Sequence, residues 1–172
     1  MDDVSLVFGG IQTTAIVVGI VLALMELRHL REQRKTELDT RQAQLFMQVY
    51  SPFASKEFQH TFGTAGRMSF EDYEDFRQKY YGAEGSLRED YESYVTVANY
   101  FEGVGMLVKR GLLDISFVEN LLSTHIVQFW SKFGSHMMET RENWKRPRMW
   151  EWVEFLYREL EKQEEKLGPQ KN

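Results

Sequence analysis

The residues able to do chemistry fall into three groups. The first centres on Glu102 and Asn99, which sit beside an apolar stripe repeating every three or four residues from Leu87 to Val108. A carboxylate beside such a stripe needs a partner or a raised pKa. Arg141, on a later helical stretch, is the favoured partner, with Arg110 second. A buried Glu102–Arg141 pair would either fix helix register or form a polar site, and the structural role is the preferred reading. The second group is Glu26-x-x-His29 and Glu57-x-x-His60, which match the Glu-x-x-His element of di-iron bundles. His29 stands among arginines that repel a cation, and His136-x-x-Glu139 runs in the reverse order. Chance spacing is the preferred reading, and no metal is assigned. The third group is Trp144 to Trp152, where aromatics alternate with Lys145, Arg146 and Arg148. Such a segment could lie at lipid headgroups or stack on bases. The preferred reading is a helix–helix corner with its tryptophans inward and its cations in water. Trp144, Trp150 and Trp152 are the candidate interface, together with the acidic, aromatic run from Phe70 to Tyr81.

Composition removes several chemistries. The chain has no cysteine, so thiolate metal sites, disulfides and thiol catalysis are excluded. A formal net charge of -5 speaks against a general nucleic-acid binder. No serine stands in G-x-S-x-G, and Gly63 and Gly66 lack the lysine of a phosphate loop. No catalytic residue and no cofactor are therefore expected.

The elements that must position these residues begin with an uncharged stretch, Ser5 to Met25. As a helix it would span roughly 30 Å, the thickness of a bilayer's hydrocarbon core. Asp2 and Asp3 precede it where a signal peptide would be basic, and no A-x-A cleavage pattern follows. A membrane span is the expectation. Arg28, Arg31, Arg34 and Lys35 follow it, so the positive-inside rule places the downstream domain in the cytoplasm and the short N-terminus outside. These cations would each gain roughly 1 kcal/mol near anionic headgroups, weakened by Glu26 and Glu32. Ala15, Gly19 and Ala23 lie four apart, a spacing that lets two membrane helices approach closely.

No Gly or Pro interrupts Glu26 to Val49, and good helix formers dominate there. The anchor, residues 1–26, is therefore expected to continue as a helical stalk over 27–50, with Pro52 as the first stop. Residues 51–167 then form the cytoplasmic domain, a bundle of about five helices, and 168–172 a frayed tail. Within the domain, 53–68 reads as a short helix followed by a loop at Gly63–Gly66. Ser69 and Ser86 each open a capping-box pattern, predicting helices to about Tyr81 and to Arg110. Gly111 reads as a C-cap and Asp114 as an N-cap. A helix from Ile115 to about Leu122 restarts at Ser123 or Thr124 and runs to about Asn143. Pro147 suits the first turn of a last helix, Arg148 to about Lys166, with Met149, Trp152, Val153, Leu156 and Leu160 on its apolar face. No run alternates with period two, so the class is all-α.

The segment Asn99-Tyr100-Phe101-Glu102-Gly103-Val104-Gly105, continued through Leu112-Leu113-Asp114, resembles a prokaryotic family of small, membrane-anchored helical proteins known only as a domain of unknown function. Trp130, Arg141 and the aromatic helix Trp150 through Leu156 look like its later elements. The resemblance covers roughly residues 40 to 160 and implies no activity. The expected function is non-enzymatic: a membrane-anchored interaction or assembly module that associates with lipid and with copies of itself, and through its domain with a protein partner. The alternatives are an effector that perturbs the membrane by oligomerising, and an enzyme with a carboxylate-based site in the bundle.

Overall fold

The computed structural model describes residues 2–167, with side chains over 19–165. The described residues form six helices and no strand: α1 Asp2–Phe53, α2 Lys56–Arg67, α3 Tyr73–Tyr80, α4 Ser86–Lys109, α5 Ile115–Asn143 and α6 Glu151–Leu167. The class is all-helical, as expected. The tail 168–172 lies outside the described residues.

The chain divides into two compact units, Met1–Gln44 and Leu45–Asn172. In the first, every side chain from Gly19 to Arg41 is exposed, as is Gln44. The expected membrane-proximal residues Arg28, Arg31, Arg34 and Lys35 belong to this exposed stretch. Among the described residues no helix is long and apolar enough to cross a membrane. Most of the apolar stretch, Ser5 to Val18, lies outside the described side chains, as does Ala15 of the small-residue face.

The second unit begins inside the expected stalk, because Phe46 is a core residue and stacks on Phe117. Its core is aromatic. Phe76, Tyr94, Phe101 and Phe133 are fully buried, and Val97, Val118, Leu122, Ile126, Met137 and Leu156 fill the space between them. Helix α4 is the hub, packing on α2, α3 and α6. Its stripe is buried at Tyr94, Ala98, Phe101 and Gly105, but Leu87 stays exposed, and Val97 and Val104 join the core instead. The face of α6 is buried at Val153, Leu156 and Leu160, with Met149 and Trp152 half-buried.

Several helix limits differ from the sequence expectation, each for a local reason. Gly63 to Gly66 is helical, the last turn of α2, and Lys132 donates to the Gly66 carbonyl at 2.5 Å beyond it. The box at Ser69 is displaced by three residues. Asp72 is the N-cap, accepting from the Asp75 amide, and Asp75 reaches back to the Glu71 amide. Ser86 is the first residue of α4 rather than its cap; Gly85, at φ 61, takes the cap position. Helix α5 does not restart at Ser123 or Thr124 and is continuous, since Leu122, Ile126, Phe129 and Phe133 continue one buried face. Asp114 caps it through the Ser116 amide. The last helix opens at Glu151, three residues after the expected Arg148.

Candidate functional site

The residues singled out for chemistry meet where the α5–α6 connection crosses α4, and the geometry there is that of a clasp. Helix α6 starts at Glu151 behind Trp150, so Trp150 stands where Ser, Thr or Asp normally caps the first amides. An indole has no acceptor to offer. The acceptor comes from another helix: Glu102 of α4 takes hydrogen bonds from the Trp152 amide at 2.9 Å and the Val153 amide at 3.0 Å through one carboxylate oxygen. The negative group also sits at the positive end of the α6 dipole. Burial pushes the Glu102 carboxyl up, the two amides pull it back, and the net shift is upward.

One turn further along α4, Gly105 lets the same segment come close. A Cβ there would stand 2.3 Å from the Trp152 carbonyl oxygen, a contact no side chain could make. Glu102 and Gly105 are three apart and share a face, so one residue grips Trp152 by its amide and the other makes room for its carbonyl.

Arg141 closes the clasp from α5. Its Nε donates to the Met149 carbonyl at 2.6 Å and its Nη2 to the Trp150 carbonyl at 2.7 Å, and its Nη1 pairs with Glu154. Burial would raise the Glu154 carboxyl, but hydrogen bonds from Arg141 and Arg158 together hold it below its ordinary value. The expected Glu102–Arg141 pair is therefore not made. Each side chain is engaged elsewhere: Glu102 by free amides at the start of α6, and Arg141 by carbonyls of the loop before it and by Glu154. Asn99 accepts from the Trp150 indole at 3.3 Å.

The three interface tryptophans separate. Trp150 is buried against Tyr94 and unavailable as a contact surface, which corrects its assignment. Trp152 is half-buried, its ring 6.1 Å from Phe155. Trp144 remains 46% exposed and packs partly on Tyr81. The two Glu-x-x-His elements fall in different units. Glu26, His29, Glu57 and His60 are all exposed, and His29 bonds Gln33. His136 is buried while Glu139 faces outward. Among the described residues no group of three or more His, Asp or Glu side chains could hold a metal.

One polar cluster escaped the sequence reading. His136 lies in an aromatic cage, its ring centroid 3.7 Å from that of Phe76, with Tyr73 and Tyr94 at 5.5 and 5.7 Å. Its Nδ1 and the Tyr94 hydroxyl have no hydrogen-bond partner, and burial lowers the imidazole to about 4. The only signal was its place between Phe133 and Met137, on the buried face of α5.

The clasp orders the start of a helix, with Glu102 and Arg141 both engaged by backbone groups. No curated protein and no solved structure matches the chain. A family model described as a domain of unknown function, DUF4760, matches residues 13–160, most of the sequence. On that match, the chain belongs to the family of this domain of unknown function.

Proposed function

We propose that this is a single-pass membrane protein whose N-terminal helix anchors a cytoplasmic, self-associating interaction or assembly module. The observation that carries the reading is the exposure of α1. Ile20, Val21, Leu22, Leu24, Met25 and Leu27 are each at least half exposed. At about 100° per residue these side chains spread over roughly 220° of the helix, and Ala23 lies in the remaining sector. One partner helix would cover a single stripe. An apolar surface all round is matched by hydrocarbon, and it continues the uncharged stretch from Ser5. Arg28, Arg31, Arg34 and Lys35 then set the orientation, with the domain inside and the N-terminus outside.

Self-association is supported by Ala15, Gly19 and Ala23. A Cβ at Gly19 meets nothing within 4 Å in its own chain, so this small residue is not required by intramolecular packing. The non-enzymatic reading is supported by the clasp, where Glu102 and Arg141 are occupied by backbone groups. The test is alkaline extraction of membranes from cells making the full chain, with a tag after Asn172. The chain should stay in the membrane fraction, and the tag should resist added protease until the cells are lysed. Release by alkali would reject the anchor; digestion in intact cells would reject the orientation.

A further inference from the structure

The connection between α5 and α6 contains a conformation that its own packing does not explain. Helix α5 ends in a Schellman motif: the Lys145 amide donates to the Glu142 carbonyl at 3.2 Å and the Arg146 amide to the Arg141 carbonyl at 2.9 Å. The residue after the C-cap must be left-handed, and Lys145 stands there at φ 51. Helix α4 ends in the same motif, with the Gly111 amide on Val108 and the Leu112 amide on Leu107, and there the left-handed residue is glycine at φ 68. The other left-handed non-glycine residue among those described, Trp150, is compensated by burial of its indole. Lys145 has no such return. Its side chain is exposed and makes no ion pair among the described residues, and the same holds for Arg146. Arg148 pairs with Glu151 at 2.8 Å yet keeps 79% of its side chain exposed. Exposed Trp144 and Pro147 complete the tip, with Glu142 the nearest unpaired acid along the chain.

We infer that the α5–α6 tip, with Trp144, Lys145, Arg146 and Arg148, is a second membrane contact that docks on anionic lipid headgroups. An amphipathic indole beside clustered cations suits the interface between headgroups and acyl chains. The inference rests on the proposed anchor for its source of lipid, since a tether holds the tip at high effective concentration beside a bilayer. It adds that the domain itself responds to lipid charge. Nucleic acid is the competing anionic ligand; the exposed Trp144 indole beside the cations favours the lipid interface.

The chain has no cysteine, so one introduced thiol gives one label. The full chain carrying Asn143→Cys with an environment-sensitive dye is mixed with vesicles of phosphatidylcholine alone or with added phosphatidylserine. Thr124→Cys, about 28 Å away along α5, is the control. The expected result is flotation with both vesicles, with the dye at 143 brightening only on phosphatidylserine and the dye at 124 unchanged. Lys145→Glu and Arg146→Glu should each weaken the brightening by at least roughly fivefold, the value of one cation near an anionic surface. Flotation with both vesicles and no change at 143 overturns the tip and leaves the anchor standing. Flotation with phosphatidylserine alone, lost in the two charge variants, supports the tip and rejects the anchor. Flotation with neither, or brightening by an oligonucleotide and not by phosphatidylserine, overturns the tip.

Discussion

His136 shows what a single buried residue does to this fold. Its imidazole is pushed from 6.5 to about 4 because protonation would place a charge among Phe76, Tyr73 and Tyr94. The unfolded chain takes up that proton near its ordinary pKa while the folded chain refuses it. The contribution to stability is therefore complete above pH 6.5 and is lost as pH falls towards about 4. Its full size is on the order of 3 kcal/mol. Denaturant unfolding at a series of pH values should show this loss in the parent and a flatter profile in His136→Leu. Glu102, shifted upward, has the opposite slope, favouring the fold at acid pH, and it cancels in that comparison. Glu102 also gives a direct test of the clasp. Glu102→Ala leaves two amides of α6 without an acceptor and should cost about 2 kcal/mol in thermal unfolding, whereas Glu102→Gln keeps one carbonyl oxygen and should cost less.

At the scale of the element, the informative places are where helices end and cross. Two helices share one C-terminal motif but differ in the left-handed residue, Gly111 against Lys145. Lys145→Gly should raise stability by about 1 kcal/mol and Gly111→Ala should lower it by about as much, both read from unfolding midpoints. Gly105→Ala should be the more damaging change, costing about 1–3 kcal/mol, because the obstructing atoms are backbone of α6 and not a rotatable side chain. Much of this was legible in sequence. The three-four spacing of Tyr94, Ala98, Phe101 and Gly105 located the buried face of α4, and Gly111 and Asp114 located two caps, because these signals are local. What stayed hidden depends on distant residues. Trp150 is a poor cap in every local sense, and only the arrival of Glu102 from α4 makes the start of α6 possible. The Glu102–Arg141 expectation failed for the same reason. Opposite charges were matched to each other, while the competing partners were backbone groups created by the fold.

For the whole molecule, the two units follow different rules. Leu45–Asn172 is organised around an aromatic core, which is why its class and helix number could be read from periodicity. Met1–Gln44 holds exposed apolar side chains from Ile20 to Leu30 that its own chain does not cover. If Ala15, Gly19 and Ala23 form the contact between copies, Gly19→Ile should shift the full chain in detergent toward monomer, read by cross-linking or analytical centrifugation. An unchanged oligomer would move the contact elsewhere.

The anchor is the central claim, and flotation of the full chain on neutral phosphatidylcholine vesicles in high salt tests it most directly. High salt screens the attraction of Arg28, Arg31, Arg34 and Lys35 for lipid and leaves the apolar term. The parent should float, and Ile16→Arg combined with Val17→Arg should not, since each arginine near the centre of the Ser5–Met25 span costs roughly 2.5–3.5 kcal/mol. A parent chain that stays at the bottom of the gradient, or a double variant that floats as well as the parent, would contradict the account.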